Sequence, residues 1–144
     1  MLIEDIKRNL MNEPLFIEYF SRYEELRGNI HREQDGGGVV EILEIKGNTT
    51  KEDFTRFKML RLYKNQSNQI IITNIYLPDN MRKKGFGMKI LSIIYELSKS
   101  HGCGLFIDDM VPSFYRKMLK KGAVEMNYEA VQIIDSTELF LTRE

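Results

Sequence analysis

The chain has 144 residues, a length that suits one compact domain around a single core and leaves little for a second. Its 21 basic residues balance 21 acidic ones, so no global field draws nucleic acid or anionic lipid, and any such contact must be local. One cysteine, Cys103, excludes an intrachain disulfide framework and a Cys-based zinc cluster, and two histidines argue against a His-rich site, so no metal is expected. A reducing compartment fits this cysteine usage. The longest apolar runs, such as Ile70-Ile71-Ile72, fall far short of the roughly 20 residues that cross a bilayer. Glu4 and Asp5 stand where a secretory apolar region would begin, so the expected location is cytoplasmic, without a membrane partner.

Apolar residues recur at helical spacing from Leu2 to about Arg27 and predict two helices. Leu2, Ile6 and Leu10 mark the first, and Phe16, Ile17, Phe20, Tyr23 and Leu26 the second, with Asn12-Glu13-Pro14 as the break. Gly28 to Gly38, with four glycines and several charges, reads as a flexible connection. Residues 1–35 are thus expected to be a helical N-terminal region, and 36–144 to hold the sheet of the same single domain. From Val39 to Ile45 the period becomes two, and it recurs over Phe54 to Tyr63 and, beyond the polar turn Asn65 to Asn68, over Ile70 to Leu77. These segments predict three strands in an antiparallel meander. The β-branched run of the third predicts a central strand buried on both faces.

Phe86, Ile90, Ile93, Ile94 and Leu97 form one helical stripe, stopped by His101-Gly102-Cys103-Gly104, and Leu105-Phe106-Ile107 is a short strand. Strand, helix, strand in that order predicts a parallel crossover. Pro112 opens a further helix through Phe114, Tyr115, Met118 and Leu119. The tail, Val124 to Ile134 and Glu138 to Leu141, alternates around Asp135-Ser136 and predicts a terminal hairpin. The fold class is α/β of the α+β kind, with a mixed, mostly antiparallel sheet flanked by helices.

The stretch that bears on chemistry runs from Ile75 to Met88: a strand, then the basic loop Arg82-Lys83-Lys84-Gly85-Phe86-Gly87, then an amphipathic helix. N–H groups at a helix start lack intrahelical acceptors, glycine lets the backbone come close, and the dipole adds positive charge, so such a segment can hold a phosphate or pyrophosphate. The two glycines also suit a plain turn and cap. The spacing is neither that of a nucleoside-triphosphate loop nor that of a dinucleotide fingerprint.

Arg82-x-x-Gly85-x-Gly87 resembles the acyl-CoA signature of the GNAT N-acetyltransferase superfamily, which reads Gln or Arg, two residues, Gly, one residue, then Gly or Ala. The order of elements resembles that family from about residue 38 to 143. The resemblance implies a splayed strand pair forming an acyl-CoA cleft. The backbone of Ile75, Tyr76 and Leu77 would pair with the pantetheine arm as an added strand, and the amides of Lys83, Lys84, Gly85, Phe86, Gly87 and Met88 would hold the pyrophosphate beside Arg82. Three residues separate Pro78 from Arg82, where many relatives have two.

A second block, Asp108 to Tyr115, resembles the family's strand end with a helical Tyr seven residues on. That likeness assigns Tyr115 as the general acid toward the departing thiolate, a role compatible with a phenol pKa of about 10. Ser113 and Phe114 would face the donor, and Phe114 equally suits a core position. Asp108 stands where the family has Asn, and Val111 where it has Ala. Attack by an amine requires loss of its proton, yet the central strand offers only Thr73 and Asn74, so Asp108 is the candidate base, with Asp109 beside it.

The implied function is an acetyl-CoA-dependent N-acetyltransferase acting on an unidentified amine by direct attack in a ternary complex. The alternative is a catalytically inactive GNAT-like module that binds CoA or another anion and acts through protein interaction. Homodimers are common among similar proteins. The balanced total charge speaks against nucleic acid.

Overall fold

A computed structural model describes residues 1–14, 17, 25–36, 38–48, 56–76, 85–127 and 129–139. Its elements are α1 (Leu2–Met11), β1 (Glu25–Asp35), β2 (Gly38–Asn48), β3 (Arg56–Lys64), β4 (Gln69–Ile75), α2 (Phe86–Ser100), β5 (Gly104–Ile107), α3 (Pro112–Lys120), β6 (Val124–Asn127) and β7 (Ala130–Ile133). The strands form one seven-stranded sheet in the order β1-β2-β3-β4-β5-β7-β6. Every neighbouring pair is antiparallel except β4 and β5, which are joined by the α2 crossover. The expected mixed, mostly antiparallel sheet with flanking helices is therefore present, with β4 at its centre.

Register explains the core. Leu43, Leu62, Ile72, Ile107 and Val131 are successive cross-strand partners from β2 to β7. All five side chains are buried in one cluster with Leu2, Ile3, Ile6 and Leu10 of α1 and Phe86, Ile90, Leu91 and Ile94 of α2. Side chains alternate between sheet faces, so the neighbouring row, Ile42, Tyr63, Ile71, Phe106 and Gln132, lies on the other face. Ile71 and Thr73 are only half-buried there. The expectation that the central strand is buried on both faces is thus corrected: both α1 and α2 pack on the same side of it. Among the described residues no helix is long and apolar enough to cross a membrane.

The N-terminal expectation also changes. Residues 25–35 are strand β1, not the end of a second helix leading into a flexible connection, so the region 1–35 is not wholly helical. Pairing from Glu25↔Asn48 to Asp35↔Gly38 makes the glycine run a tight hairpin turn. The remainder of the predicted second helix, including Phe16, Phe20 and Tyr23, lies outside the described residues. Gly28 has a packing reason: a Cβ there would stand 3.1 Å from Lys7 Cε, whose stem crosses β1 from α1.

At the other end, β6 and β7 form a hairpin that closes at Asn127↔Ala130. The predicted hairpin about Asp135-Ser136 is therefore displaced. That turn comes after β7, where the Ile134 N–H donates to Thr137 Oγ1 at 3.0 Å and the Glu138 N–H to the Lys121 carbonyl at 2.7 Å. The chain thereby runs against the end of α3, burying Leu139. Cys103, just before β5, is buried at 8% exposure.

Candidate functional site

The expected cleft would begin where the parallel pair ends. β4 and β5 are in register from Gln69↔Gly104 to Ile72↔Ile107, and the Asp108 N–H closes the pair on the Ile72 carbonyl at 2.8 Å. β5 then turns away through Asp109, whose φ of 53° is left-handed, while β4 continues to Ile75. Thr73 is the extra residue of a bulge, because Leu62 pairs with Ile72 and Arg61 with Asn74. A bulge bends its own strand and re-aims the residues C-terminal to it.

The Tyr76 N–H donates to the Met59 carbonyl at 2.8 Å, which commits it to β3. Peptide groups alternate sides along a strand, so those of Ile75 turn to the opposite edge, where β5 has already ended. Of the three residues expected to pair with an extended arm, Ile75 is suitably oriented, Tyr76 has its donor engaged elsewhere, and Leu77 lies outside the described residues. Arg82, Lys83 and Lys84 also lie outside them.

The described loop resumes at Gly85, with φ 73°, at the N-cap of α2, and no side chain caps that helix. A left-handed φ is costly for residues with a Cβ, which accounts for glycine at this position. The Phe86 and Met88 side chains are buried in the core, so these residues can meet a ligand only through main chain. Gly87 is half-buried between them.

Asp108 sits at the mouth of the cleft, exposed, with Oδ1 accepting the Asp109 N–H at 2.8 Å. In α3, Ser113 is exposed and Phe114 packs against the core. Burial first, then the neighbouring Glu125 carboxylate of β6, push the pKa of the Tyr115 phenol up. β6 is the far edge strand, separated from β5 by β7. The structure thus puts Ile75 at the end of β4, Asp108 just past the end of β5 and Tyr115 in α3.

Two polar groupings escaped the sequence reading. One is the Tyr115–Glu125 pair. The other is Glu44 of β2, which meets Lys58 Nζ at 2.8 Å, Arg61 Nε at 3.8 Å and Lys46 Nζ at 4.0 Å. The Lys58 hydrogen bond, then the charges of Lys58, Lys46 and Arg61, hold the Glu44 carboxyl below its usual range against an opposing burial cost. Arg61 Nη1 donates to Thr73 Oγ1 at 3.0 Å, tying this group to the β4 bulge. Period-two alternation assigns Glu44 and Arg61 a face each. Only the pairing Glu44↔Arg61 puts them on the same one.

A separate groove of about 640 Å³ opens at the opposite end of β5, lined by Tyr95, Lys99, Cys103, Gln132 and Asp135 among others. There Asp135 accepts the Tyr95 hydroxyl and meets Lys99 Nζ at 2.9 Å. Among the described residues no three His, Cys, Asp or Glu side chains cluster as metal ligands would.

The strand order and the single parallel pair at the cleft define a GNAT-like arrangement of sheet and helices. No protein-family model matches the chain, and no curated protein matches its sequence. A crystal structure of a "putative acetyltransferase" from Agrobacterium tumefaciens aligns over 84% of this chain and 78% of its own, at 17% identity and a TM-score of 0.40. A match that loose transfers no activity, so the functional reading rests on the residues themselves.

Proposed function

We propose that the protein is an acetyl-CoA-dependent N-acetyltransferase whose donor lies between the diverging ends of β4 and β5. The observation that carries this reading is the bulge at Thr73 with β4 running on past the Ile72–Ile107 pair, which turns the Ile75 peptide groups to an edge that no strand of the described residues occupies. An extended amide-bearing arm is a natural partner for such an edge. The start of α2 lies close by in sequence at Gly85, and this basic, glycine-bearing segment from Arg82 suits the diphosphate.

In the reaction the amine nitrogen attacks the thioester carbonyl carbon, the C–S bond breaks, the amine gives up a proton and the thiolate gains one. Asp108, exposed at the cleft mouth, receives the first proton directly or through water. Tyr115, whose pKa is pushed above the ordinary phenol value of about 10, keeps its proton at neutral pH and is the donor to sulfur.

Isothermal titration with acetyl-CoA tests the reading: saturable binding weakened by Arg82→Glu supports it, and absence of binding refutes it. Tyr115→Phe is expected to lower kcat about 10²-fold or more with little effect on donor affinity. Donor saturation without thiol release across a broad panel of amines and peptides would reduce the protein to a binding module.

A further inference from the structure

We infer that the acceptor is a primary amine carrying an anionic group, a carboxylate or a phosphate, which docks on Arg61, Lys58 and Lys46. The inference rests on the transferase reading above and names its substrate class.

The faces of the sheet decide the direction of approach. α1 and α2 fill the core face, and on the proposed reading the donor's diphosphate sits at the start of α2. A second substrate that reaches the ends of β4 and β5 therefore comes from the other face. Around the β4 bulge that face presents Lys46, Lys58 and Arg61, all within 4.0 Å of a single carboxylate, Glu44. Three cations to one anion leave two unit positive charges in surplus among the described residues.

Their exposures differ in a telling way. Glu44 is the most enclosed, at 14%, whereas Lys46 and Lys58 stand 52% and 40% exposed. The acid thus acts as an internal tether and the cations as the surface. Arg61 is held more firmly than the lysines, by Thr73 Oγ1 at 3.0 Å on one side and Glu44 on the other. A guanidinium has five N–H donors in a planar fork, so these contacts leave donors over for an oxyanion. Thr73 is also the bulged residue, two positions before Ile75, so the fork stands beside the place where the thioester would lie.

The same charges argue against polycationic acceptors. Glu44 is already met by Lys58 at 2.8 Å, and an incoming ammonium would have to displace a resident cation. The reactive amine enters neutral, and the anion on the same molecule offsets the surplus.

The test compares matched acceptors at saturating acetyl-CoA: α-amino acids against their carboxamides, and phosphoethanolamine against ethanolamine. The anionic member of at least one set is expected to have a KM about tenfold lower, the scale of a charged hydrogen bond, and the set that responds identifies carboxylate or phosphate. Arg61→Gln should erase that difference by raising KM for the anionic member while kcat changes little. Arg61→Lys should restore part of it, and added salt should shrink it. If acetyl-CoA binds but neutral members are used as well as anionic ones, or no member of either set is acetylated, the inference fails while donor binding stands. If acetyl-CoA does not bind, the transferase reading fails and the acceptor assignment with it.

Discussion

Tyr115 of α3 has the Glu125 carboxylate of β6 as a neighbour. Burial and the neighbouring carboxylate both favour the neutral phenol, so removing the charge should free it. Glu125→Gln is expected to lower the Tyr115 pKa toward the ordinary value of about 10, measured by NMR titration of labelled tyrosine. If Glu125 competes with the thiolate for the phenol, the same variant should not slow turnover. At this scale the sequence was partly legible. Asp108 and Tyr115 were singled out by the family resemblance, and only their settings, a strand end and a helix, follow from local pattern. Local pattern could not select Glu125, Glu44 or Arg61, since their partners are fixed by strand pairing across loops of unreadable length.

The elements differ in how openly their residues declare them. β2, β4 and α2 show their periods because each lays a regular apolar stripe against the core. β1 does not: as an edge strand with Gly28 and Ile30 over α1 and charged residues elsewhere, it lacks the alternation by which a strand is recognised. Its pairing with β2 is what makes it a strand. The start of α2 rests on Gly85, whose φ of 73° penalises any Cβ. Gly85→Ala should cost about 1–2 kcal/mol of stability in a denaturant titration and weaken acetyl-CoA binding as the loop shifts.

The turn after β7 is pinned to α2 through Asp135, Tyr95 and Lys99. The Tyr95 and Lys99 hydrogen bonds hold the Asp135 pKa low, so its contribution is present above the ordinary value of about 3.9 and is lost as pH falls through the lowered one. Hydrogen bonding to Asp135 raises Lys99, and burial, then Asp135, raises Tyr95 to about 12. Their contributions hold below the unfolded values near 10 and are lost as pH rises through the raised ones. Asp135→Asn should therefore lower Tm at pH 7, and the difference should shrink as pH is taken below about 3.9, read from melting curves over that range.

For the molecule as a whole, one core unites α1, α2 and the inner face of the sheet. Leu10 is fully buried near the C-terminal end of α1. Leu10→Ala is expected to destabilise the whole domain by about 2–5 kcal/mol, measured by urea unfolding, because the cavity opens in that shared core. The general architecture was readable from local period and order, since a crossover helix between two short strands admits few topologies. The one-sided burial of β4 was not, because a β-branched run looks alike whether one face or both are covered.

The burial of Cys103 has a practical consequence. It is the chain's sole thiol, and it is 8% exposed at the wall of the groove beside Lys99 and Asp135. A thiol-reactive dye added to the native protein should therefore react slowly with Cys103, so that any CoA released under the proposed acetyl transfer can be followed above a protein-only blank. Under denaturant the same dye should report one equivalent per chain, turning the residue into a clock for unfolding.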